Sequence, residues 1–438
     1  ARKLPGIAPA HFADAGSQTV AGLENLGVCV KERVAVVGGG WAGLAAAVEL
    51  TAAGRAVTLF EAGRVPGGRA RAINLDGRRV DNGQHLLLGA YRETLALMRR
   101  VGADPDTLLH RQPLHIEDNA GFRMRLPRLP APFHLAFGLF AARGVGLAEK
   151  LATARWMEGL KRSQFRLPAD TSVAAWLDSA GQTGALRRHL WEPLCLAALN
   201  TPAERASAQV FANTLRDSLG SPERGATDLL LPRVDLGQVL PEPAARWLAG
   251  QGAELRFGQR VHEIRGDLYG LAIDGKPFAA AIVATAPQHA ATLLGTACPF
   301  EFEPIATVYL SPPPGYTQSC RMLGQQGGLG QWVIRRDDGL VACVLSGHGD
   351  WEALDDGALV NAMAAELGLT ETPRWQGVVR EKRATFSCRP NLTRPSAATA
   401  HPQLWLAGDY TWADYPGTLE GAVRSGLSAA RACLAALP

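Results

Sequence analysis

The sequence predicts an α/β protein in which a Rossmann-type nucleotide-binding domain is interleaved with a second domain of mixed sheet and helices. Three observations carry this prediction. Residues 33–61 hold one complete βαβ unit, the middle of the chain changes to helical spacing and then to strand-and-turn signals, and residues 404–437 return to a strand, a glycine and a helix.

Residues 1–30 mix glycine, proline and polar residues without an apolar core, and are predicted as a loose leader rather than a signal peptide. The βαβ unit begins with the apolar run 34–37 and turns at Gly38-Gly39-Gly40. An alanine-rich helix over 41–53 follows, stopped by Gly54, and then a strand over 56–60. From residue 95 to about 219 helical spacing dominates, broken by the proline-rich LPRLPAPF at 126–133, and this stretch reads as a helical insertion. Strand signals resume at 254–264, in a hairpin-like 269–273 with its Asp274-Gly275 turn, at 278–286 and between 307 and 346. The chain thus divides into a leader (1–30), a nucleotide-binding domain assembled from 31–94, 222–300 and 396–438, and a substrate domain from 95–221 and 301–395.

At 438 residues and 47% apolar composition the chain can bury a sizeable core. A net charge of +4, with no long basic run, argues against nucleic acid as a partner. Seven cysteines without a CxxC pair imply neither a disulfide framework nor a metal site, and fit a reducing, cytoplasmic compartment. No run reaches the roughly 18 apolar residues of a spanning helix. The nearest, within 126–150, sets large apolar residues beside Arg125, Arg128, Arg143 and Lys150. It reads as a peripheral contact with an anionic inner membrane, or alternatively as a buried helix.

The chemistry begins at Gly38-x-Gly40-x-x-Gly43. After a strand and before a helix, the first glycine permits the tight turn, the second lets backbone reach a pyrophosphate, and the third lets helix and strand close together. Trp41 and Ala42 open the helix, whose N-terminus faces phosphate charge. Glu61, followed by Ala62, closes the next strand 23 residues after Gly38, where a carboxylate accepts from ribose hydroxyls and repels a 2′-phosphate. NAD and FAD share this pattern.

The next segments separate them. Gly67-Gly68-Arg69 resembles the second glycine motif of the flavin amine oxidase and carotenoid desaturase superfamily, which lies along the FAD pyrophosphate and ribityl chain; a bidentate arginine suits phosphate oxygens. LWLAGDYTWADYPGTLEGAVRSG (404–426) resembles the superfamily's last flavin motif. The resemblance assigns Gly408 and Asp409 to the ribityl chain, and Thr418 and Leu419 to a helix N-terminus aimed at the flavin O2. It also places Gly83, Gln84 and the Val261 backbone against the cofactor. None of residues 405–426 is cysteine, so FAD is expected without a covalent bond.

DNGQHLLLGAY (81–91), WEPLCLAALNTP (191–202), ASAQVF with LRDSLG (206–220), TDLLLPRVDLGQVLPEPAARWL (227–248) and YPGTLEGAVRSG are similar to the squalene-associated FAD-dependent family, the bacterial hydroxysqualene dehydroxylases. That resemblance implies reductive removal of an allylic hydroxyl from a C30 isoprenoid, to give squalene for hopanoid synthesis. Such a reaction needs a proton for the leaving oxygen and an apolar, dry site. His85 and Glu192 are the candidate acids, against structural roles for both. Tyr410, Trp412 and Tyr415 are a candidate aromatic wall for a developing cation, against plain core aromatics. The flavin motifs leave open a polyene desaturase, an amine oxidase, or a lipid carrier of the GDP-dissociation-inhibitor type. No second nucleotide fingerprint supports direct reduction by NAD(P)H, and the electron donor is unassigned.

Overall fold

The structure is a computed structural model that describes residues 33–267 and 270–437. The predicted leader, Leu268, and Tyr269 of the predicted hairpin segment lie outside the described residues.

A parallel sheet forms the nucleotide-binding half. Its elements are β1 (Arg33–Val37), α1 (Trp41–Ala52), β2 (Ala56–Glu61), β3 (Glu254–Phe257), β4 (Ala280–Val283) and β5 (Leu404–Leu406), followed by the closing helix α2 (Leu419–Ala436). The strand order is β3-β2-β1-β4-β5, every neighbouring pair parallel. β1 and β4 are covered on both faces, which is why each reads as a short unbroken apolar run rather than an alternation. Three strands far apart in sequence therefore complete a sheet that residues 33–61 begin.

On this sheet α1 and α2 cross with backbone in contact. A Cβ on Gly426 would stand 2.0 Å from the Ala42 carbonyl oxygen, so only glycine allows the approach. The buried Glu420 of α2 ties the same helix to the one at Arg92–Arg100, accepting from the Thr94 amide at 3.0 Å and its hydroxyl at 2.7 Å.

A second, antiparallel sheet runs in the order Met322–Gly324, Trp332–Arg335, Val341–Ser346, Phe302–Leu310, Gln376–Phe386. Its period-2 alternation separates two cores. Ala306, Val308 and Leu310 pack with Val333, Val341, Cys343 and Leu345 against the helix Asp356–Glu366. Tyr309, Trp332, Ile334, Ala342 and Val344 point the other way, into the core shared with the helical layer. That layer comprises Phe133–Ala141, Leu147–Arg162, Val173–Ser179, Glu192–Leu199 and Ala208–Asp217. Trp156 holds part of it together, with ring centroids 5.0 Å from Trp176 and 5.3 Å from Trp191.

The expected helical stretch from 95 to 219 is in part wrong. It contains the strands Leu109–Gln112, His115–Glu117 and Arg123–Arg125, the last two paired with each other. Strands of three or four residues alternate too briefly to compete with helical periodicity in a sequence window.

Candidate active site

One cavity of about 970 Å³ runs along the line where the two halves meet, at the upper end of the roughly 300–1,000 Å³ of ligand cavities. Its first half is built from glycine turns. Gly38 has φ +114°, and a Cβ there would meet the Ala284 carbonyl oxygen at 2.6 Å. Gly43 does not reach the cavity; it packs beneath the turn, where a Cβ would fall 1.8 Å from the Gly38 oxygen. Gly40, the N-cap of α1, offers no side-chain cap, and no acid stands in the first turn. The amides at that end are left for an anion.

The second glycine pair lies directly against the first. The Gly67 amide donates to the Gly39 carbonyl at 2.8 Å, and a Cβ on Gly68 would meet the Gly40 Cα at 3.2 Å. Trp41 locks the two loops, its indole N–H donating to the Ala70 carbonyl at 2.9 Å. The result is a cradle walled by backbone, open to a group that needs close amide approach. Its donors and its lack of side chains fit the pyrophosphate of a dinucleotide.

Glu61 lines the same half of the cavity with Ala62 and Val261. Its carboxylate accepts from the Gly39 and Gly63 amides, each at 2.6 Å, one on each oxygen. Each oxygen keeps a further lone pair for a ribose hydroxyl.

Arg69 departs from its predicted part. Its guanidinium donates to Asp409 Oδ1 at 2.6 Å and to the Ala384 carbonyl at 2.9 Å, so the fork expected on phosphate is engaged with protein. Arg69 is a clamp joining the glycine loop, the strand Gln376–Phe386 and the segment around Gly408. Asp409 is correspondingly half-used; one oxygen serves Arg69, and the residue still borders the cavity with Gly408, Thr418 and Leu419. The Thr418 hydroxyl accepts from the Gly421 amide at 3.1 Å and caps α2, whose N-terminus thereby points into the cavity wall.

Gly83, Gln84 and His85 also line the cavity. A buried ion pair that sequence reasoning missed holds them. Asp81 is fully buried, accepts from Arg336 at 2.8 Å and from the Leu236 amide at 2.6 Å, and Arg336 donates onward to Gln84 Oε1 at 2.9 Å. Burial pulls the His85 imidazole below its usual pKa, although the Gly83 carbonyl and Asp81 favour the charged ring. Nδ1 lies 2.8 Å from the Gly83 carbonyl, which requires the proton on that nitrogen. A neutral ring with Nε2 bare is an acceptor, poorly matched to the acid role predicted for it.

Glu192 does not line the cavity. It accepts from Arg187 at 2.7 Å, a pairing that accounts for it structurally. Tyr410 and Trp412 stay outside as well; Tyr410 is 2% exposed and packs its ring 5.8 Å from Phe300. Of the predicted aromatic wall, Tyr415 alone borders the cavity, beside Asp217.

The second half of the cavity is mostly apolar, with Leu114, Ile116, Leu194, Phe211, Met322, Trp332 and Ile334 among its walls. The two halves are continuous, so a bound cofactor and an apolar ligand share one space.

Comparison with known proteins agrees with this geometry. The family profile for flavin containing amine oxidoreductase matches residues 41–434. The chain is 32% identical to a hydroxysqualene dehydroxylase of Rhodopseudomonas palustris, covering 93% of this chain and 99% of that one. It is 30% identical to the hydroxysqualene dehydroxylase of Sinorhizobium fredii (91% and 97% covered), and 26% identical to a zeta-carotene desaturase of Synechocystis (92% and 97%). A redesigned putrescine oxidase superposes with a TM-score of 0.70 at 17% identity, covering 92% of this chain and 99% of that one, a likeness of fold. The chain belongs to the flavin containing amine oxidoreductase family, groups within it with the hydroxysqualene dehydroxylases, and is an FAD-dependent oxidoreductase.

Proposed function

We propose that the protein removes the allylic hydroxyl of hydroxysqualene reductively to give squalene, within squalene and hopanoid synthesis. The observation that carries this reading is the cavity itself: a glycine cradle that opens without a break into an apolar chamber, in a chain whose relatives at 30% and 32% identity are hydroxysqualene dehydroxylases.

FAD, when bound and reduced, supplies the hydride that replaces the hydroxyl. The chain does the rest. Gly38, Gly40, Trp41, Ala42 and Gly43 form the pyrophosphate turn, and Gly67 and Gly68 the wall facing it. Glu61 and Ala62 take the ribose, Val261 the adenine, Gly408 and Asp409 the ribityl chain, and Thr418 and Leu419 the flavin O2, with FAD held non-covalently. Arg69 sets the spacing of these pieces through Asp409, and Asp81 and Arg336 hold Gly83, Gln84 and His85 in place. The nucleotide-binding domain comprises 31–94, 222–300 and 396–438, and 95–221 with 301–395 form the substrate domain. The apolar chamber keeps bulk water from the reacting carbon, and the hydroxyl takes a proton and departs as water.

A water-insoluble substrate needs a route from the bilayer, and we propose residues 126–150 for it. Phe133, Phe137 and Phe140 are 65%, 61% and 43% exposed on one face of a helix, with Leu147 at 65%, while His134 and Gly138 face inward. Arg125, Arg128 and Arg143 are exposed nearby. Lys150 is not part of this surface: it is buried, and its ammonium caps the helix by donating to the Phe140 and Ala142 carbonyls at 2.8 and 2.6 Å. Among the described residues no helix is long and apolar enough to cross a membrane. Support is thus for a contact on one leaflet.

Anaerobic incubation of the chemically reduced holoenzyme with hydroxysqualene, and of the oxidised holoenzyme with zeta-carotene or a diamine, each in detergent, tests the reading. Squalene from the first alone is the expected outcome; oxidation of either other compound by the oxidised enzyme, without squalene formation, overturns it.

A further inference from the structure

The apolar half of the cavity holds few polar side chains, and most are already committed. Asn200 donates to Thr385 Oγ1 at 3.1 Å and accepts from the Gly347 amide at 2.9 Å. The Thr214, Ser218 and Thr227 hydroxyls donate to the Val210, Thr214 and Arg224 carbonyls at 3.1, 2.6 and 2.9 Å. Asp217 and Tyr415 are different. Asp217 ends the helix Ala208–Asp217, and its carboxylate accepts from Arg216 Nε at 2.7 Å on one oxygen and from the Tyr415 hydroxyl on the other.

A carboxylate accepts about four hydrogen bonds, so each oxygen retains a free lone pair. Burial raises its proton affinity, but the Arg216 and Tyr415 hydrogen bonds more than offset this and keep it ionised. The Arg424 guanidinium lies 5.0 Å from the centre of the Tyr415 ring and fixes the phenol from behind. The pair stands where the helical layer meets the 416–419 segment that leads into α2, and both residues line the cavity.

We propose that Asp217, oriented by Tyr415, receives the hydroxyl of the substrate and so fixes which carbon faces the cofactor. The inference rests on the dehydroxylase reading and adds the group that distinguishes substrate from product. An allylic alcohol donates its O–H to the carboxylate; squalene, lacking that donor, gains nothing from Asp217 and leaves its spare lone pairs unfilled.

The test is binding rather than turnover. Hydroxysqualene and squalene, dispersed in detergent, are titrated into oxidised holoenzyme and followed by the flavin absorbance. The wild type is expected to prefer the alcohol. Asp217→Asn should lower the preference about tenfold or more, the value of one hydrogen bond to a charged group, while squalene affinity and flavin content stay unchanged. Tyr415→Phe keeps the ring under Arg424 but lets the Asp217 carboxylate turn, and should lower it about threefold to fivefold, a part of the value of one hydrogen bond to a charged group. If Asp217→Asn does not fold, Tyr415→Phe carries the test. A wild-type preference that survives both substitutions, or affinities for both ligands that fall together, would show a structural latch and overturn the inference. Wild-type protein that fails to bind hydroxysqualene would instead overturn the dehydroxylase reading beneath it.

Discussion

Replacing Gly43 by alanine tests the cofactor cradle at its tightest point. The new methyl carbon would stand 1.8 Å from the Gly38 carbonyl oxygen and 3.2 Å from the Ala284 Cβ. Ordinary carbon–oxygen contacts begin near 3.4 Å, so helix and turn must separate by about 1.5 Å. That displacement exceeds the tolerance of a charge-assisted hydrogen bond, and the uncapped amides of α1 retreat from a pyrophosphate placed against Gly40 and Gly68. Losing one or two such bonds, at about 1.5–3 kcal/mol each, weakens FAD binding at least about tenfold and by as much as about ten-thousandfold. The assay is fluorescence titration of deflavinated protein with FAD, backed by the 450-to-280 nm absorbance ratio as isolated. Gly159→Ala is the control. That glycine sits exposed in a helix with nothing within 4 Å, and the substitution should leave FAD binding alone and add up to about 1 kcal/mol of stability. Wild-type FAD affinity in Gly43→Ala would refute the reasoning.

Three further outcomes follow from the same structure. Asp409→Asn removes the charge that pairs with Arg69, and should cost roughly 1.5–3 kcal/mol in chemical denaturation and release flavin more readily; a fully loaded variant of unchanged stability would show that the clamp carries no energy. Burial lowers the pKa of His85, His110, His115, His134 and His289, so these rings are neutral in the fold and gain protons on unfolding. Their contribution is complete above the unfolded value of about 6.5 and is lost as pH falls below it, so the melting temperature should drop between pH 7 and 5.5; His134→Leu, which removes a 1% exposed imidazole with no hydrogen-bond partner, should flatten that slope, and an unchanged slope would contradict the assignment. Phe133→Ser, Phe137→Ser and Phe140→Ser together should abolish flotation with anionic liposomes, since each buried phenyl contributes about 1.5–3 kcal/mol, while leaving flavin content intact; retained flotation would move the membrane contact elsewhere.

The parts of the fold legible in sequence were those that a local rule fixes. The turn at Gly38–Gly43 and the acid at Glu61 are set by covalent geometry within one βαβ unit, and their spacing alone locates them. Gly408 and Thr418 were reached through resemblance, since nothing local tells that β5 will lie beside β4. What escaped depends on contacts between distant residues. Arg69 reads as a phosphate ligand in sequence because its partner Asp409 lies 340 positions away. Asp81 and Arg336 look like ordinary surface charges until the second sheet brings them together. The strand Gln376–Phe386 escaped because its charged middle, REKR, resembles a solvated loop, although its alternate residues pack beside Phe302–Leu310. Glu192 illustrates the opposite error: a carboxylate inside a family-specific segment that serves Arg187 and not the cavity.

The most direct measurement of the central claim is a single-turnover experiment. Reduced holoenzyme, free of excess reductant and oxygen, is mixed with hydroxysqualene while flavin absorbance is recorded and squalene is quantified by mass spectrometry. The account predicts flavin reoxidation with one squalene formed per FAD. Flavin that stays reduced, or that reoxidises without squalene, would contradict it.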